Sequence, residues 1–140
     1  MKSMIMFCCR GISQDVRNNN ITAYSILEEL SSAKFPMFFH ELFVFNLFRK
    51  DDGESDKMIC KLKIKNNGVE IATLPVELNF SGQERTRSII QIGAIPFQSE
   101  GNAIFEFMDP QDNMVSSYEI ELKKLELSES STKKINENAA

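Results

Sequence analysis

The sequence predicts an all-β domain, on three observations. Apolar residues recur in short runs separated by turn signals, at the spacing of a sandwich or barrel. One run, Lys57 to Lys65, alternates strictly, with Met58, Cys60, Leu62 and Ile64 on one face and Ile59, Lys61, Lys63 and Lys65 on the other. Asn67-Gly68 follows directly and Val69, Ile71 and Thr73 resume the alternation, the strongest short-range signal for a hairpin. At 140 residues the chain has the size of one domain that buries roughly two thirds of its unfolded surface, so neither a disulfide nor a metal is needed to hold it.

The first strand is expected over residues 3–10. Residues 21–33 are locally ambiguous: Tyr24, Leu27 and Leu30 recur at helical spacing, while Ile21, Thr22, Tyr24 and Ile26 favour a strand. Residues 38–50 form a strand that is apolar on both faces, Phe39, Phe43, Phe45 and Leu47 on one and Leu42, Val44 and Phe48 on the other, ended by Asp51-Asp52-Gly53-Glu54. In the second strand of the hairpin the apolar phase shifts from Val69 and Ile71 to Leu74, Val76 and Leu78, with Pro75 between them. A bulge or bend near residues 72–75 accounts for the shift. Further strands are expected over 86–95, 102–109 and 114–126, with turns at Gly101 and at Asp109-Pro110-Gln111-Asp112-Asn113. From Leu127 the chain turns to Ser, Thr, Lys and Asn, which divides it into a folded domain, 1–126, and a disordered polar tail, 127–140.

Composition excludes several function classes. An apolar fraction of 42% is too high for a disordered chain, and a net charge of −4 is too small and too negative for a dedicated nucleic-acid binder. The apolar run Met4 to Cys9 is six residues long, short of the roughly 7 to 15 of a signal peptide, and no run nears the 18 or so that cross a bilayer. A cytoplasmic protein with no membrane partner is expected. Cys8, Cys9 and Cys60 are odd in number and lack C-x-x-C spacing, so they are expected as free thiols acting as small core hydrophobes.

Catalytic constellations are not in the sequence. His40 is the only histidine and sits among Phe38, Phe39, Leu42 and Phe43, where a hydrogen-bonded structural residue is expected rather than a general base. One His and three unspaced Cys do not make a zinc set, and neither phosphate-binding glycine motif occurs. Asp51, Asp52, Glu54 and Asp56 surround Gly53 but miss the EF-hand spacing, which leaves a solvated turn. The stripes Arg85 with Arg87, and Lys61, Lys63 and Lys65, lack interleaved aromatics and are expected as solvated faces. Glu28 and Glu29 would point to opposite faces of a strand. No enzyme, cofactor or metal is expected.

Two blocks carry a family resemblance. Ser13 to Leu30, with Phe35-Pro36 and Leu42-Phe43-Val44, and then Phe80 to Phe97, with Glu100-Gly101 and Phe105-Glu106-Phe107, resemble the two halves of a family of small, functionally uncharacterised bacterial proteins, a domain of unknown function. The resemblance spans roughly residues 5 to 125. It implies an immunoglobulin-like antiparallel β-sandwich of about 7–8 strands, with residues 21–30 a strand, and it implies no activity. Lys61, Lys63 and Cys8-Cys9 lie outside its pattern.

The functional expectation rests on residues 38–48. The outer face of a sandwich strand should be polar, yet this strand is apolar on both sides. Either loops, a small helix or the tail cover the second face, or an exposed patch or open edge recruits another chain. The candidate interface is Phe39, Phe43, Phe45 and Leu47 with Leu42, Val44 and Phe48, and its partner another protein or a second copy in a dimer. The expected function is a non-enzymatic interaction module or accessory subunit of a bacterial multi-protein system. The alternative is a small-molecule or carbohydrate binder using end loops at 51–56 and 97–101.

Overall fold

The computed structural model describes residues 1–126; the expected tail, 127–140, lies outside the described residues. Strands are β1 (Lys2–Gln14), β2 (Ile21–Ile26), β3 (Glu29–Ser32), β4 (Met37–Phe38), β5 (Leu42–Arg49), β6 (Lys57–Asn66), β7 (Val69–Asn79), β8 (Arg85–Ile92), β9 (Pro96–Phe97), β10 (Gly101–Met108) and β11 (Met114–Lys124). There is no helix among the described residues, and so none long and apolar enough to cross a membrane. Four strands form one sheet in the order β2-β1-β5-β8, five form a second in the order β3-β11-β10-β6-β7, and β4 pairs with β9 alone. All pairs are antiparallel except β3 with β11.

The two large sheets share one core. Cys8, Leu42, Val44 and Phe48 of the first meet Cys60, Leu62, Ile64, Phe105, Phe107 and Ile120 of the second, and the Phe48 and Phe107 rings lie 4.6 Å apart. One polar seam crosses this interior. Asn46 on β5 accepts a hydrogen bond from the Ser3 hydroxyl at 2.6 Å and donates to Ser116 Oγ on β11 at 2.8 Å. That pairing satisfies a side chain which would otherwise be a costly intruder in a Phe-rich core.

The β6–β7 hairpin turns through Asn67 and Gly68, both at positive φ (51° and 80°), as its two-residue turn requires. The phase shift in β7 is a bulge at the near edge of the expected range. Ile64 faces Ala72 while Lys65 faces Glu70, so Ile71 is the extra residue and the bulge precedes residues 72–75. Pro75 stays in register opposite Lys61, which its missing N–H permits because β7 is an edge strand.

Three expectations are corrected. Residues 38–50 are not one strand: the chain breaks at 39–41, between β4 and β5. The segment 21–30 is two strands in different sheets, because β2 pairs with β1 while β3 pairs with β11. At the crossing the Tyr118 hydroxyl donates to Leu27 O at 2.5 Å, and the Leu27 N–H to Cys8 O at 2.9 Å. Strands number eleven rather than 7–8, nine of them in the two large sheets.

Candidate interaction face

The alternation of β5 decides which phenylalanines are available. Leu42, Val44, Asn46 and Phe48 point into the core, so Phe43, Phe45 and Leu47 point away from it. Register places Cys9, Phe7 and Ile5 of β1 beside them on one flank and Gln91, Ile89 and Arg87 of β8 on the other. The outer face of the four-stranded sheet is therefore an apolar field, closed at one end by Lys2, Arg49 and Arg85 in a single row. Phe7 stacks on Phe45 with ring centroids 4.9 Å apart, and Phe45 is only 3% exposed. Ile5 and Ile89 remain 48% and 41% exposed, and Phe7, Phe43 and Leu47 are half-buried.

Part of this face is roofed by the chain itself. A straight β1 would carry Gln14 about 30 Å from Ile5. Yet Asn19, at the tip of the β1–β2 hairpin, accepts a hydrogen bond from Arg87 Nη1 at 2.7 Å, and Arg87 shares a row with Ile5 and Leu47. The hairpin therefore curls back over the outer face. Gln14 and Asn19 form one wall, and Leu47, Arg85, Arg87 and Ile89 the others, of an open pocket of about 600 Å³. Arg49 is 3.9 Å from Glu84, whereas among the described residues Arg85 and Arg87 have no carboxylate within ion-pair distance.

The opposite surface differs in chemistry. On the five-stranded sheet Lys65 pairs with Glu106 at 2.8 Å, Lys61 with Asp112 at 3.1 Å and Lys123 with Glu29 at 3.0 Å, the mixed-charge pattern of a water-facing sheet. Glu29 and Lys123 meet across β3 and β11, and the carboxylate raises the Lys123 ammonium above its ordinary pKa.

Of the seven residues expected at the interface, the structure brings Phe43, Phe45 and Leu47 together on the outer face. Leu42, Val44 and Phe48 are core residues. Phe39 lies before β5 and packs edge-on against Phe97, centroids 4.7 Å apart, so it does not share their face. Ile5, Phe7, Ile89 and the hairpin tip were not singled out from sequence. Their signal was present in β1, where Ile5, Phe7 and Cys9 alternate with Met4, Met6 and Cys8 to make a second strand apolar on both faces.

The remaining candidates resolve simply. His40, expected as a hydrogen-bonded structural residue, is exposed between β4 and β5. In the acidic loop, Asp51 and Glu54 take the amino group of Met1, and Asp56 takes Lys50 Nζ and the Gly82 N–H. These donors hold Asp51 and Asp56 below the usual carboxylate range. No group of three or more metal-ligating side chains occurs among the described residues. Cys8, Cys9 and Cys60 are free and buried. Burial pushes all three thiols up, Cys60 to about 11, and so disfavours the reactive thiolate.

The loops 51–56 and 97–101 do not share a pocket. The first leads into β6 at Lys57; the second is held at the other end of β6, where Asn66 donates to Ser99 O and accepts from the Gln98 and Ser99 N–H groups. The ten residues of β6, spanning about 30 Å, separate them. The 51–56 end has a groove of its own, about 680 Å³, lined by Glu54, Lys57, Ile59, Glu77 and Pro110 among others.

A comparison of the chain with protein-family models finds no match, and a comparison with curated proteins finds none.

Proposed function

We propose that this chain is a non-enzymatic, cytoplasmic protein-interaction module, an accessory subunit built on an immunoglobulin-like sandwich. The observation that carries the reading is the outer face of β1, β5 and β8, which keeps Ile5 and Ile89 open to solvent beside half-buried Phe7, Phe43 and Leu47. Monomeric proteins rarely leave a contiguous apolar field on a sheet face, and such fields mark protein contacts. Strand order supports the immunoglobulin-like assignment. Reading β1, β5 and β8 as A, B and E, and β11, β10, β6 and β7 as G, F, C and C′, gives two sheets of that fold, with β3 alongside G. The family resemblance of the two sequence blocks points the same way.

A small-molecule reading draws on the groove beside the 51–56 loop, but Ile59 in its wall is 68% exposed. A ligand there would be covered from one side, whereas small-molecule sites bury most of their ligand. The discriminating experiment places a photo-crosslinking benzoylphenylalanine at Ile89 or at Ile59 in the chain expressed in its native cells. Discrete protein adducts at position 89 and none at 59 are expected. Equal yields at both positions, or none at either, overturn the reading.

A further inference from the structure

Four strands end the two large sheets, and they are not equally protected. β3 has four residues; β2 has six and is interrupted by Ser25 at φ 54°; β7 carries Pro75 and the bulge at Ile71. Short length, proline, bulges and charged side chains are devices by which edge strands refuse further partners. β8 has none of the first three, and its two arginines repel cationic partners while leaving the edge open to acidic ones. It runs eight residues, Arg85–Ile92, in register with β5 along its whole length, and among the described residues nothing pairs with its other edge.

The chemistry beside that edge is specific. Arg85 and Arg87 project from β8 on the outer face, two residues apart, without carboxylate partners among the described residues, in a chain of net charge −4. Arg87 is already oriented by its bond to Asn19 O. Leu47 and Ile89 supply an apolar floor between the arginines and the hairpin tip.

We propose that the free edge of β8 takes an extended acidic segment of a protein partner as an added strand, its carboxylates on Arg85 and Arg87 and an apolar side chain against Ile89. This rests on the interaction reading above and names its partner and mode. Main-chain hydrogen bonds to β8 give the affinity and alternate side chains the selectivity, as in strand addition generally. Guanidinium groups suit this task because their planar donors match a carboxylate with two parallel bonds. A second copy of this chain is a poorer occupant, since its own β8 offers arginines rather than acids.

The test uses the peptide Ac-Val-Thr-Val-Thr-Glu-Thr-Glu-NH2, which in antiparallel pairing sets two acids opposite Arg85 and Arg87 and a valine opposite Ile89 on the same face, with its Lys-for-Glu analogue as control, and reads binding by anisotropy and backbone protection by hydrogen exchange. Expected are binding of the acidic peptide that weakens with salt, slowed exchange confined to residues 85–92, and at least about tenfold loss in R85E, which keeps the Arg87–Asn19 bond, with an unchanged melting temperature. Binding without slowed exchange in β8 overturns strand addition. Equal binding of the Lys peptide, or none of either, overturns the acidic partner. Protection of β8 with dimerisation in the absence of peptide assigns the edge to a second copy and also overturns the proposal. Crosslinking at Ile89 decides the interaction reading independently, so failure here and failure there are distinguishable.

Discussion

Asn46 is a buried polar residue that crosses the core shared by the two large sheets. It is 1% exposed and joins Ser3 to Ser116, on strands of different sheets. Asn46→Ala removes both bonds, strands two hydroxyls and opens a void, which is expected to cost about 2–3 kcal/mol in urea unfolding. Because Asn46 and Ser116 are in direct contact, Asn46→Ala and Ser116→Ala should not add; a double-mutant cycle should return a coupling of about 1 kcal/mol. The thiols make a second expectation at this scale. Burial raises Cys8, Cys9 and Cys60 above their ordinary value of 9.0, Cys60 to about 11. The unfolded chain therefore loses thiol protons before the folded one does. The stability these groups contribute is whole below pH 9 and falls as pH rises through the folded values. Urea midpoints measured at pH 8 and pH 10.5 should show the drop, and Cys60→Ala should reduce it.

The hairpin β6–β7 is the element sequence reads best, since its alternation and its Asn-Gly turn are both local signals. Its anchoring is not local. Asn67 Oδ1 accepts the Asn102 N–H at 2.9 Å, and its Nδ2 donates to Ser99 Oγ and Glu100 O, each at 2.8 Å. The turn is thereby latched to the start of β10, at Gly101. Two glycines should therefore differ in cost. Gly68 has φ 80° with open space around it, so Gly68→Ala should cost only the backbone strain, about 1 kcal/mol. Gly101 has φ 132°, and an added Cβ would stand 1.9 Å from Asn67 Oδ1. Gly101→Ala must also push the Asn67 side chain off its partners, and about 2–3 kcal/mol is expected by thermal unfolding. Residues 21–30 could not be read in this way. The change of sheet at Leu27 is fixed by Tyr118, 91 positions away, and no local pattern encodes such a contact. The break before β5 is hidden likewise, because Phe39 is as apolar as the strand it precedes and is buried against Phe97 instead.

Across the whole molecule the two outward faces divide the chemistry. The five-stranded sheet meets water with paired lysines and acids, while the four-stranded sheet shows apolar residues closed by cations. Sequence held half of this difference: two-faced apolar strands are visible in β1 and β5, and they say that something must cover the second face. What covers it was invisible, because the hairpin roof depends on the curl of β1 and on one bond from Arg87 to Asn19, 68 positions apart. The roof is partial, and its incompleteness has a measurable consequence. Ile5 and Ile89 stay 48% and 41% exposed despite it, so replacing both by threonine, which keeps the β-branched shape, should change stability by less than about 1 kcal/mol. Fluorescence of the apolar probe bis-ANS should nevertheless fall at least about twofold in I5T/I89T, because exposed contiguous apolar surface is what the probe reports. Ile59, though the more exposed, stands among Lys57, Lys61 and Glu77 on the other sheet, and I59T should leave the signal unchanged. An equal fall in both variants would mean that exposure of single residues, rather than a continuous face on β1, β5 and β8, governs what this surface attracts.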